Sequence, residues 1–281
     1  MLIAKFHSLY NLSGQLCRLN FESFFVSSLH VNIELSVATV VIKRVDKRNA
    51  LDTATWELFA DACESLAVRD DIKAIVLSGE GEHFSAGADI HELRANIADA
   101  AWMANNQATI ARALDAYATL PQPTIAKIRG ACIGGGAALA AASDFRYCTP
   151  DARFAITPAK IGLTYRLVDC LRVVDLIGAA RAREMLLAAR ECDAATALNW
   201  GLVNQVIDAD VFEIEVDAKL KQLTALSSTS QRGIKASLLK IRAAQTMDDA
   251  ESIAAFQSAF TGADFQEGAA AFIGKRPALF N

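Results

Sequence analysis

The chain has 281 residues, with 28 Lys and Arg against 32 Asp and Glu, a formal net charge of −4 and 53% hydrophobic residues. So much apolar material excludes a disordered chain, and a mildly acidic balance argues against a nucleic-acid protein, which carries a basic stripe. No run approaches the roughly 20 apolar residues needed to cross a bilayer, so neither nucleic acid nor membrane is expected as a partner.

Residues 1–30 are rich in Ser, Leu and Phe and poor in charge. They read as an extension outside the fold, and their place in the mature protein is left open. From Val31 the pattern becomes regular. Ile33 to Val45 alternates and is β-branched, as a pair of strands would be. Asp52 can cap a helix whose apolar face is Trp56, Phe59, Ala60, Cys63, Leu66 and Ala67. The apolar run Ile72 to Leu77 reads as a buried strand. The loop after it leads to a helix near Ile90, and a longer helix runs through Met103 to Leu120. Pro121 and Pro123 end that helix, and Thr124 to Ile128 is another buried strand. Gly130 to Gly136 turns the chain into an Ala-rich helix ending near Ser143, and Phe145 to Cys148 restarts a strand. Helices are expected over Val168–Ile177, Ala180–Ala189 and Ala194–Trp200. This alternation predicts an α/β domain over 31–205. After Val206 the strands stop, and 206–281 reads as a helical unit whose exposed aromatics pack on something else, such as another subunit.

The six cysteines form no CxxC pair, and the four histidines form no HExxH or Cys/His cluster. Reduced thiols in a cytoplasmic protein and no metal are therefore expected. No GxGxxG follows a strand and no GxxxxGK[ST] occurs, so neither a Rossmann nor a P-loop nucleotide site is indicated. The informative segments are Ser85-Ala-Gly-Ala-Asp-Ile90 and Ile133-Gly-Gly-Gly136. Each joins a buried strand to a helix start, where backbone N–H groups lack partners and the helix dipole favours negative charge. Two such N–H groups converging on one point make an oxyanion hole.

In this order and spacing, Arg48-Asn-Ala-Leu51, Phe84-Ser-Ala-Gly-Ala-Asp-Ile90, Gly130-x3-Gly-Gly-Gly136, Asp144, Gly201-Leu-Val203 and Lys275-Arg-Pro277 resemble the crotonase, or enoyl-CoA hydratase/isomerase, superfamily. The resemblance implies an α/β fold: a spiral of ββα turns followed by a helical C-terminal oligomerisation domain that makes trimers or hexamers. It implies an acyl-CoA substrate, with coenzyme A part of the substrate and no separate cofactor. The two oxyanion donors map to the N–H groups of Ala88 and Gly135. The adenine is read by backbone of the loop Ala86 to Ile90, including Asp89. Lys47 or Arg48, together with Lys275, are candidates for the CoA phosphates.

The resemblance also marks a departure. Hydratases of the family use two glutamates, and the matching positions here are Ala138 and Pro158, neither able to bear a proton. Thr157 to Leu167 and Asp89-Ile-His-Glu-Leu93 are instead similar to the methylmalonyl-CoA decarboxylase branch, although that branch has a histidine at the Ala88 position. In that likeness Tyr165 matches a pocket tyrosine that would orient a carboxylate or donate a proton. The expected activity is an acyl-CoA lyase. The alternatives are a hydratase or isomerase recruiting another acid, such as Asp169 or Glu92, and a non-catalytic acyl-CoA binder.

Overall fold

The computed structural model describes residues 28–280 in full and, before them, the backbone of β1 (Leu9–Tyr10), β2 (Leu16–Cys17) and β3 (Glu22–Val26). A hairpin follows, formed by β4 (Leu29–Glu34) and β5 (Val37–Ile42), whose alternating burial matches the alternating sequence. Next come α1 (Thr53–Ala67), β6 (Ala74–Gly79), α2 (Ile90–Ala95), α3 (Ala100–Ala118), β7 (Thr124–Ile128), β8 (Ala131–Ile133) and α4 (Gly135–Ala142). The chain continues through β9 (Phe145–Cys148), β10 (Arg153–Ala155), α5 (Leu167–Leu187), β11 (Cys192–Asp193), α6 (Ala194–Trp200) and β12 (Gln205–Val206). It closes with α7 (Phe212–Thr224), α8 (Ser228–Arg242), α9 (Ala250–Ala259) and α10 (Ala263–Ile273).

The main sheet has seven strands in the order β12-β9-β7-β6-β5-β4-β3. Pairing is parallel from β12 to β5 and antiparallel beyond. The antiparallel pairing of Glu22–Val26 with Leu29–Ile33 corrects the boundary expected at residue 30. The sheet reaches back to residue 22, because an edge strand there satisfies the outer backbone groups of β4. Residues 1–8, 11–15, 18–21 and 27 lie outside the described residues.

A second sheet, β11-β10-β8, was not expected from the sequence, since rungs of two or three residues are too short to show a period. Its line continues through bridges of Ser85 to Cys132 and of Leu51 to Ala88. Each turn of chain thus gives one strand to the large sheet, one rung to the small one, and then a helix. That is the expected ββα spiral, and it has a consequence for function. Corresponding rung-to-helix junctions from successive turns lie side by side.

The core is built on this repeat. Trp56, Phe59, Cys63 and Leu66 of α1 face Ile75, Leu77 and Ile128 in one buried cluster. On the opposite sheet face Val76, Ile125 and Tyr147 pack under Phe212 and Val216 of α7. Each such side chain contributes about 1.5–3 kcal/mol by leaving water. The expected break between the helices over 168–177 and 180–189 is a kink inside α5, where Gly178 takes φ 75°. In the C-terminal unit Phe256, Phe260, Phe265 and Phe272 are exposed, the last by 86%.

Candidate active site

Two neighbouring rungs position the site. Ser85 N donates to Ala131 O at 2.8 Å, and Ile133 N donates back to Ser85 O at 2.9 Å. On the other side Leu51 N donates to Gly87 O at 2.7 Å, and Asp89 N donates to Leu51 O at 2.9 Å. Leu51 therefore engages the groups flanking Ala88 and leaves the N–H of Ala88 itself pointing away, because a trans peptide sets its C=O and N–H in opposite directions. Among the described residues no protein acceptor takes the Ala88 N–H, nor that of Gly135, the first residue of α4.

These free N–H groups are neighbours. A Cβ built on Gly87 would stand 3.1 Å from Gly135 N and 2.7 Å from Ile133 O, and one built on Gly135 would stand 3.7 Å from Ala88 N. Gly87 has φ +94° and Gly134 has φ +55°, so both turns need the left-handed region that glycine enters without strain. Together they present two N–H donors at adjoining helix starts, an arrangement suited to a developing oxyanion.

Asp89 is buried at the start of α2, where its carboxylate accepts from His91 N and Glu92 N. Arg44 Nη2 lies 3.0 Å from Asp89 and 2.9 Å from Asp52, the cap of α1. Burial alone would raise the Asp89 pKa, but the Arg44 hydrogen bond and the helix N–H groups outweigh it and hold the carboxyl below its ordinary value. Asn49 braces the same loop by donating to Glu80 O at 2.9 Å and His83 O at 2.6 Å. The Arg44 brace was not foreseen, since one charge at the end of a β-branched run carries no signal of its own. Trp56 was read only as core. It is core, but its Cζ2 also stands 3.0 Å from the position a Gly135 Cβ would take.

Tyr165 is half-buried, and its hydroxyl donates to Gly134 O at 3.3 Å, immediately before the Gly135 donor. Burial pushes its pKa well above the usual value, and Asp169 adds to the shift. Ala138 is buried in α4, and Pro158 begins a 3-10 turn over Pro158–Ile161. The two alternative acids are both committed elsewhere. Asp169 lies 2.5 Å from Arg172 in a buried pair, its pKa raised by burial against the pull of Arg172 and Arg166. Glu92 accepts from Thr53 N at 2.9 Å and Thr53 Oγ1 at 3.1 Å. Asp144 accepts from Thr124 N at 2.7 Å and pairs with Lys235 at 2.6 Å, as suits a structural residue.

The remaining candidates divide. Ala86 N donates to Arg48 O at 2.9 Å, so the exposed Arg48 is fixed beside the loop, and Ile90 at its end is 50% exposed. Lys47 is also exposed nearby. Lys275 is exposed after α10, and among the described residues no hydrogen bond or ion pair brings it to the Ala86–Ile90 loop. No group of His, Cys, Asp or Glu among the described residues could hold a metal, and no helix there is long and apolar enough to cross a membrane.

Comparison with known proteins gives a consistent neighbourhood. A family model described as enoyl-CoA hydratase/isomerase matches residues 32–281. The mitochondrial Delta(3,5)-Delta(2,4)-dienoyl-CoA isomerase of Rattus norvegicus is 31% identical over 236 residues, 79% of this chain and 70% of that protein. The peroxisomal isomerase of the same name from Arabidopsis thaliana is 30% identical and spans 89% of this chain and 94% of its own. A crystal structure of an enoyl-CoA hydratase/carnithine racemase from Magnetospirillum magneticum superposes with a TM-score of 0.86 at 30% identity, covering 92% of this chain and 96% of that one.

Proposed function

The chain belongs to the enoyl-CoA hydratase/isomerase family. From that premise we propose that it is an acyl-CoA lyase that decarboxylates a short 2-carboxyacyl thioester. The observation that carries this reading is the free pair of N–H groups at Ala88 and Gly135 combined with Ala138 and Pro158 at the two hydratase acid positions. Each missing acid or base forfeits ~100–10,000-fold, so a reaction that needs no base to generate its enolate suits this site best.

The C–C bond to the α-carboxylate breaks and carbon dioxide leaves. The bonding pair moves to the α-carbon, and the thioester π pair moves onto the oxygen between the two N–H donors. One proton then adds at the α-carbon, so that the carboxyacyl thioester and a proton become the acyl thioester and carbon dioxide. Tyr165 stays protonated at neutral pH, because its pKa lies well above the usual value. It is the proposed donor, or the group that orients the departing carboxylate. Arg48, Lys47 and Lys275 are the proposed phosphate contacts, and the exposed phenylalanines of α9 and α10 are the proposed seat of a second and third copy.

Hydration or isomerisation through Asp169 or Glu92 is the weaker reading, because both carboxylates are already paired. A panel of short 2-carboxyacyl-CoA, 2-enoyl-CoA and dienoyl-CoA thioesters tests the proposal. Carbon dioxide release from the first class supports it. Brisk hydration or isomerisation overturns it, and tight binding without turnover on any of them selects a non-catalytic binder.

A further inference from the structure

Arg44 stands at the far end of a chain of hydrogen bonds that terminates at the free Ala88 N–H. Its Nη1 donates to Ala50 O at 2.5 Å. The same peptide group carries the N–H of Leu51, which donates to Gly87 O at 2.7 Å. That second peptide group in turn carries the N–H of Ala88. Because both peptides are trans, with no cis bond among the described residues, each C=O and its N–H lie antiparallel and the bonds run head to tail. The other half of the guanidinium is held between Asp52 and Asp89, and the Arg44 backbone N donates to Asn49 Oδ1 at 2.9 Å. The side chain is 16% exposed, so solvent screens little of its charge.

We infer that Arg44 is a positioning residue that aligns and polarises the Ala88 N–H through two intervening peptide groups. The inference deepens the oxyanion-hole reading above and rests on it. A cation bonded to the first carbonyl draws electron density along the chain and leaves the last N–H a stronger donor, as hydrogen bonds in series polarise one another in a low-dielectric surrounding. The aspartates keep the guanidinium in register. Asp52 and Asp89 are the caps of α1 and α2, so a single cation ties both helix starts to the rung that carries Ala88. The Gly135 donor has only a neutral counterpart, the Tyr165 hydroxyl, which donates to Gly134 O at 3.3 Å on the peptide that carries the Gly135 N–H.

The test reads the bound carbonyl directly. Butanoyl-CoA labelled with carbon-13 at the thioester carbonyl lacks both an α-carboxylate and a double bond, so it binds without turnover. Isotope-edited infrared difference spectra are recorded for wild type, R44M, R44K and D52N, with affinity measured alongside. In wild type the carbonyl band moves to lower frequency than in the free thioester. In R44M it moves back toward the free value while affinity changes little. R44K, which keeps a charge but loses the fork, falls between the two. D52N keeps the relay intact and retains the wild-type shift, which separates polarisation from loss of a helix clamp. On whichever thioester turns over, kcat of R44M falls about tenfold, a fraction of the ~100–1,000-fold cost of losing a whole donor, with KM nearly unchanged. If R44M does not fold, R44K and D52N decide. A wild-type shift that persists undiminished in R44K, or that D52N erases as fully as R44M does, overturns the relay. A wild-type band at the free-thioester frequency overturns the oxyanion reading, and the relay with it.

Discussion

At the Ser85–Asp89 junction, α2 begins under a carboxylate: Asp89 accepts from the first N–H groups of the helix and is itself held by Arg44. At the Ile133–Gly136 junction, α4 begins with no side-chain cap. That second junction is set by contact instead. A Cβ on Gly136 would stand 2.6 Å from Ser85 O, and one on Gly135 would stand 3.0 Å from Trp56 Cζ2. The spiral fold places equivalent turns side by side, yet one donor is aimed by charge and the other by close packing. The first junction therefore responds to pH and to charge-altering substitutions, and the second responds to added volume.

The largest effect that would sharpen this contrast belongs to Gly87→Ala, which meets both constraints. The residue has φ +94°, and its Cβ would stand 2.7 Å from Ile133 O. Strain and overpacking together cost roughly 2–6 kcal/mol, measurable as a lower denaturant midpoint, with turnover abolished. Gly135→Ala separates stability from function. The helical propensity of alanine, worth about 1 kcal/mol over glycine, offsets much of the contact with Trp56, so thermal stability stays nearly level. The new Cβ crowds the space before Ala88 N, and turnover falls ~100–1,000-fold, as for loss of an oxyanion donor. A G135A enzyme with undiminished turnover would break the claim that packing sets this junction.

Tyr165→Phe comes next. Its 3.3 Å bond to Gly134 O is worth only about 0.5–1.5 kcal/mol of stability, while kcat drops on the order of 100-fold where Tyr165 supplies the proton. A kcat change confined to a few-fold assigns protonation to solvent. The smallest effect is the acid dependence of the charged junction. The Asp89 pKa is lowered in the folded state from its ordinary 3.8, so its stabilisation is fully present above that value and is lost as pH falls through the lower folded value. Denaturant titrations of wild type and Asp89→Asn should therefore differ at neutral pH and converge in strong acid. Parallel curves down to the acid limit would show that Asp89 contributes nothing through its charge.

Much of the molecule was legible because its signals are local. Asp52 caps α1 by accepting from Thr55 N, and Trp56, Phe59, Ala60, Cys63 and Leu66 form the buried face that the 3.6-residue spacing predicts. The strands Thr124–Ile128 and Phe145–Cys148 and the helix Ala194–Trp200 stand at the expected residues, since proline, glycine and cap residues bracket each. The second sheet was not legible, because β11 has two residues and β8 three, too few for a period. Nor was the sheet's extension to residue 22, which depends on a partner strand rather than on the segment itself. The pairing of Asp169 with Arg172 has an i,i+3 spacing, yet only burial distinguishes it from a solvated helix face.

By itself the sequence determined the strand–helix alternation, the two glycine-bearing junctions and the absence of acids at positions 138 and 158, because these follow from short-range sterics and from side-chain chemistry written at each position. Only the tertiary structure decided that the two junctions adjoin, that Leu51 turns the Ala88 N–H outward, and that Arg44 reaches that N–H through two peptide groups. Those facts depend on hydrogen bonds between rungs some 36 to 47 residues apart, as between Leu51 and Gly87 or Ser85 and Cys132, and no local propensity encodes which backbone groups will meet across such a distance.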